Sequence, residues 1–166
     1  MSRLANAHSA GIVHEIAEEI VANKAYLSEI DGKIGDGDHG NNMTKGFSMA
    51  AGRISSDDSL TVALATLSDV LMSEIGGSMG PLYGMMFEDM ADSIRDVSHI
   101  DASQFQQMLE AAQAAVVAIG SANVGEKTLL EAGEVHAPIG ERQHQRGERP
   151  GGGRIGGGRD PGDKDT

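Results

Sequence analysis

The sequence predicts an all-α protein, an antiparallel bundle of helices, and three observations carry that prediction. Apolar residues recur at spacings of three and four through successive segments, as the buried stripe of a helix requires. No segment alternates with period two over a useful length, so strands have no sequence signal. Aromatic residues make up only 3% of the chain while it holds nine methionines, a supply that suits a helical core better than a β-sandwich. At 166 residues the chain has the length of one domain with a single core.

The elements follow in order. Ile12, Val13, Ile16, Ala17 and Ile20 form one face of a first helix, with Glu15, Glu18 and Glu19 opposite and His14 read as structural. A short helical stretch with Tyr26, Leu27 and Ile30 runs into DGKIGDGDHGNN, where Gly32, Gly35, Gly37 and Gly40 mark a loop. A helix resumes through Met43, Phe47, Ala50, Ala51 and Ile54, and the segment SSDDS ends it and supplies caps for the next. Leu60, Leu64, Leu67, Leu71 and Ile75 make a further stripe, with Gly76 and Gly77 as its stop. GGSMGPLYG reads as a tight turn, and Pro81 suits the first turn of a helix carrying Leu82, Met86, Met90, Ile94 and Val97. Asp101 with Gln104 resembles an N-terminal cap for Phe105, Met108, Leu109, Ala112, Val116 and Ile119, and Gly120 is the expected stop.

The formal net charge is −12, and the excess acid lies early: residues 1–132 hold 7 Lys and Arg against 19 Asp and Glu, whereas 133–166 hold 6 against 6. Such a surface repels phosphate backbones, so nucleic acid is not an expected partner, and a bound polyanion would need cations between it and the protein. The N-terminal stretch has no long apolar run, so neither a signal peptide nor a membrane span is expected. The chain has no cysteine, which agrees with a reducing, cytoplasmic setting. From residue 133 onward ten glycines and five arginines leave too few aliphatics for a core. The expected division is therefore a helical domain over 1–132 and a disordered tail over 133–166, whose abrupt change of character reads as a foreign or frameshifted ending.

The loop carries the chemistry. Asp31, Asp36 and Asp38 stand among glycines, and residues two apart in extended backbone point the same way, so Asp36 and Asp38 can converge while Asp31 folds back onto them. Three clustered carboxylates repel one another unless divalent cations sit among them, and hard oxygen donors suit magnesium. An EF-hand fails the spacing: counted from Asp36, its fifth, sixth and twelfth positions are Gly40, Asn41 and Phe47. GGSMGPLYG could bring backbone N–H groups against a phosphate, but it is not a Walker A loop because no Gly-Lys-Ser/Thr follows. His39 sits inside the first loop, where it could contact phosphate or orient an aspartate.

Three blocks in order, AYLSEIDGKIGDGDHGNNMTKGF, GGSMGPLYG and GEKTLLEA, resemble those of the nucleotide-binding subunit or C-terminal domain of dihydroxyacetone kinases. The resemblance implies a barrel of eight antiparallel helices, and two magnesium ions held by Asp31, Asp36 and Asp38. It implies that His39, Gly40, Asn41, Asn42, Ser78, Met79, Gly120 and Leu129 contact ADP or ATP. It places no catalytic residue on this chain, because the sugar, dihydroxyacetone or erythrulose, is held on a histidine of a partner sugar-binding subunit. A phosphotransferase-system phosphocarrier is a further implied partner for relatives that keep ADP bound. The oligomeric state is left open, a homodimer included.

The sequence departs from the family pattern at Ser78-Met79, where Ala-Ser is usual, and at Glu126 and Glu131, where Asp is usual. The family continues with further helices, of which only GERQ at 140–143 and GRDPGD at 158–163 are echoes here, so the barrel is expected to be incomplete with an apolar seam exposed. The competing reading is a non-catalytic helical module derived from the same subunit that regulates a partner.

Overall fold

A computed structural model describes residues 3–120, which form six helices and one very short strand pair. The helices are α1 (Gly11–Ala22), α2 (Lys24–Asp31), α3 (His39–Ala51), α4 (Leu60–Glu74), α5 (Met79–Ser93) and α6 (Ala102–Gly120). The strands β1 (Leu4–Ala5) and β2 (His99–Ile100) pair antiparallel, Leu4 opposite Ile100 and Ala5 opposite His99. The fold is all-α as predicted. The strand pair escaped prediction because two residues cannot display an alternation. The expected tail over 133–166 lies outside the described residues, among which six helices stand against the eight that the resemblance implies.

Helix α4 is the central element, packed on α1, α3 and α5. Its predicted stripe of Leu60, Leu64, Leu67, Leu71 and Ile75 is buried throughout. Ser59 caps it, the hydroxyl accepting from the Val62 N–H at 3.2 Å, which satisfies one of the free first-turn donors. The helix stops at Glu74, before the glycines: Ile75 turns to extended backbone and stays buried, and Gly77 adopts φ +73°. The Lys45 ammonium donates to the Glu74 carbonyl at 2.9 Å, satisfying a last-turn acceptor from outside the helix.

Helix α5 differs in part from its prediction: Ile94 just past its end is buried as expected, with Met86, Met90 and Val97 packed against the core, but the fully buried positions within the helix are others. Gly80, Gly84, Phe87 and Ala91 are the buried positions, while Leu82, Met86 and Met90 are half-buried. The cause is close backbone packing. A Cβ on Gly80 would lie 2.7 Å from the Leu71 carbonyl oxygen, and one on Gly84 would lie 3.3 Å from that of Ser68. The two glycines thus let α5 lie antiparallel against the α4 backbone, and a stripe of small residues carries the contact that large residues usually carry. Similarly, a Cβ on Gly46 would sit 2.6 Å from Leu71 Cδ2, so α3 too is pressed onto the end of α4.

The predicted cap of α6 is present as a reciprocal capping box: Asp101 Oδ1 accepts from the N–H groups of Ser103 and Gln104, and Gln104 Oε1 accepts from the Asp101 N–H. Met108, Ala112, Ala115 and Val116 are buried, α5 being the helix α6 packs on, whereas Phe105 is 53% exposed and Leu109 and Val117 are also exposed. Opposite the α4–α5 turn, the helix ends are bound by Asn6, a buried side chain that the sequence reading passed over. Its amide donates to the Val97 carbonyl (2.7 Å), Thr61 Oγ1 (2.8 Å) and the Ile94 carbonyl (3.1 Å), and its Oδ1 accepts from the Thr61 N–H (3.1 Å). One residue thereby joins the N-terminal segment, the start of α4 and the end of α5.

Candidate metal and phosphate site

The acidic loop is anchored by α2 and α3. Helix α3 begins at His39, earlier than the glycine pattern suggested, so Gly40, Asn41 and Asn42 belong to its first turn. Gly40 is buried against α2: a side chain there would meet the Lys24 carbonyl and lie 2.5 Å from Ser28 Oγ. The glycine is therefore required by helix contact, and any part it takes in binding is confined to its backbone. Gly37 takes φ +76°, a conformation open to glycine at little cost, and a Cβ on Gly35 would sit 2.6 Å from Asp31 Oδ1. These two glycines fold the loop back over Asp31.

The consequence is convergence. Asp31, Asp36 and Asp38 each present a carboxylate oxygen, and the three atoms lie within 4.8 Å of one another. Asp31 is half-buried and the other two are exposed. One oxygen of each is used internally: Asp31 Oδ2 accepts from the His39 N–H (3.3 Å), Asp36 Oδ1 from the Asp38 N–H (3.2 Å), and Asp38 Oδ2 from Asn42 Nδ2 (2.7 Å). Among the described residues none of the three takes part in an ion pair; nearby Lys33 is engaged by Glu29 instead. The donor set is thus three hard, uncompensated carboxylates, each with a second oxygen to offer, which fits a small divalent cation.

Two helix N-terminal regions are linked by a side-chain contact beside this cluster. In the first turn of α3 the N–H groups of Gly40 and Asn41 have no intrahelical acceptor, and the positive end of the helix dipole lies there. Helix α5 begins at Met79, so of GGSMGPLYG only Gly76, Gly77 and Ser78 form a turn, and Pro81 stands in its first turn as predicted. An aromatic contact bridges the two helices: the rings of His39, at the start of α3, and Tyr83, one turn into α5, lie 6.1 Å apart at 62°, edge to face. Burial pushes the Tyr83 phenol above its usual range.

The expected nucleotide contacts distribute unevenly. His39 and Asn42 are half-buried and Asn41 exposed on the first turn of α3, while Ser78 is exposed at the cap of α5. The Met79 side chain packs against the core, leaving its backbone as the group that can face a ligand. Gly120 closes the described part of α6, the helix that follows α5 and packs along it. Leu129 lies outside the described residues. Tyr83 and Lys45 were not singled out from the sequence; Tyr83 stood in view inside the second glycine block, but only the fold shows that it reaches His39.

Comparison with known proteins places the chain in a family. Residues 33–147 match the model of the DAK2 domain. The chain is 42% identical over 116 residues to the ADP-binding subunit of the PTS-dependent dihydroxyacetone kinase of Lactococcus lactis, covering 69% of this chain and 58% of that protein. It is 33% identical to the ADP-binding subunit of PEP-dependent dihydroxyacetone kinase 1 of Listeria innocua, over 80% of this chain and 66% of the relative. It is also 30% identical to the D-erythrulose kinase of Mycolicibacterium smegmatis, over 70% of this chain but 21% of that protein. The chain thus spans about three fifths of the length of the ADP-binding subunits it resembles. Asp36, Asp38, both helix starts and the fold from α3 to α6 fall within residues 33–147, with Asp31 just before them, and on that match the chain belongs to the DAK2 domain family.

Proposed function

We propose that this chain holds Mg-ADP or Mg-ATP and supplies the phosphoryl group in a kinase that acts on a small ketose. The observation that carries the reading is the convergence of Asp31, Asp36 and Asp38 at the start of α3. In this reading the three carboxylates would hold two magnesium ions, whose charge would offset that of the phosphates. The chain's own part is positional. The Gly40 and Asn41 N–H groups and the His39 ring meet the phosphates, Asn42 steadies Asp38, and Ser78 with the Met79 N–H approaches from the second helix start. Gly120 and Leu129 complete the nucleotide contacts.

The names of the relatives support the nucleotide and the class of acceptor: ADP-binding subunits of dihydroxyacetone kinases, and an erythrulose kinase. By extension the ketose, dihydroxyacetone or erythrulose, is held by a separate sugar-binding subunit, and a phosphotransferase-system phosphocarrier restores the phosphate where ADP stays bound. The same reading sets the protein to work in the cytoplasm. Among the described residues no helix is long and apolar enough to cross a membrane.

Thermal unfolding tests the reading. Mg-ADP should raise the melting temperature progressively with concentration, since a ligand present at a hundred times its Kd adds about 2.7 kcal/mol to the native state. Asp36→Asn should remove most of that rise. A melting curve of the unmodified chain that does not respond to millimolar Mg-ADP overturns the assignment.

A further inference from the structure

The His39–Tyr83 contact is one of two aromatic pairs that link α3 to α5 across α4. The other, Phe47 with Phe87, lies in the core with ring centroids 6.0 Å apart at 79°. Two turns along α3 and one turn along α5 lead from this inner pair to the outer one, so the outer pair extends the core up to the acidic loop. Tyr83 is firmly held: it packs against the core, and its neighbours Gly80 and Gly84 are the positions where α5 touches the α4 backbone. His39 is fixed through its backbone by Asp31 Oδ2 at 3.3 Å, but that bond leaves the imidazole free to turn about its side-chain torsions. Tyr83 supplies the second restraint, in the edge-to-face arrangement that aromatic rings prefer.

From this we infer that Tyr83 is a positioning residue, whose ring sets the direction in which His39 presents its imidazole to the ligand at the start of α3. The inference rests on the nucleotide reading above and adds to it the residue that orders its histidine. A tyrosine in this position also ties the two glycine-rich blocks together energetically: a change at the start of α5 alters binding through a side chain on α3. A phenol is neutral at neutral pH and burial pushes its ionisation further up, so the contact depends on the ring and not on charge.

The test uses the whole chain and Mg-ADP as the probe, with affinity measured calorimetrically at saturating magnesium. Tyr83→Leu should weaken binding by about two- to ten-fold, the range worth of one aromatic pair, while Tyr83→Phe keeps the affinity within about twofold. In a His39→Ala background Tyr83→Leu should have no further effect, because the ring it positions is gone. In the ligand-free protein the His39 ring-proton resonances should move in Tyr83→Leu and return in Tyr83→Phe, a readout that general loosening of the fold would not restore selectively. Equal losses from Tyr83→Leu with and without His39 overturn the positioning role alone, as do unmoved His39 resonances. If the unmodified chain gives no Mg-ADP binding, the nucleotide reading falls and this inference falls with it.

Discussion

Replacing Asp36 by asparagine should stabilise the metal-free protein while removing its response to magnesium. The three carboxylate oxygens lie within 4.8 Å of one another. At that separation two unit charges repel by about 0.9 kcal/mol in water, and screening at 0.1 M salt reduces this to roughly 0.5 kcal/mol. Neutralising Asp36 removes two of the three repulsions, a gain of about 1 kcal/mol. Against it stands a lost attraction to the α3 dipole of about 0.3 kcal/mol, while asparagine still offers an oxygen to the Asp38 N–H. The net gain is worth a few degrees in melting temperature for a domain of this size. Asp36 is the informative choice, since Asp31 also anchors the His39 N–H and Asp38 also holds Asn42. The assay is urea unfolding in EDTA at 0.1 M and 1 M potassium chloride, repeated with magnesium. The stabilisation should shrink to about 0.3 kcal/mol at 1 M salt, where the screening length falls to about 3 Å. If Asp36→Asn is no more stable than the parent in EDTA at low salt, the carboxylates do not form a mutually repelling cluster and the metal-site argument fails.

Two further perturbations probe the frame around the site. Gly40→Ala places a methyl group against the Lys24 carbonyl and Ser28, with main-chain atoms on the far side, so α2 must shift; a loss of about 2–3 kcal/mol in urea unfolding and a weaker Mg-ADP affinity should result, and near-neutral behaviour would contradict the helix contact. Asn6→Ala strips partners from the Thr61 N–H and the Val97 carbonyl, while Ile94 keeps its bond from Thr61 Oγ1. At about 1–2 kcal/mol for each orphaned group the expected loss is roughly 2–4 kcal/mol, with Mg-ADP affinity unchanged because this clasp binds the opposite helix ends; a loss below about 1 kcal/mol would show that Asn6 is not the clasp.

The sequence by itself determined the helices, several of their caps and the identity of the acidic trio. Those features are local: a stripe at spacing three and four, a Ser59 or Asp101 before it, and glycines around Asp31, Asp36 and Asp38 are all visible within a dozen residues. Tertiary structure decided which face of α5 is buried, because Gly80 and Gly84 become contact residues only when another backbone lies against them. It decided that Gly40 serves packing against α2, that Asn6 clasps three segments, and that Tyr83 reaches His39 from 44 positions along the chain. It also drew three like charges to within 4.8 Å, which local chain preferences do not favour and the turn at Gly37 together with the α2–α3 contact imposes. Periodicity records what a residue does to its own helix; who stands opposite depends on how remote segments meet, and that is set by packing across the whole domain.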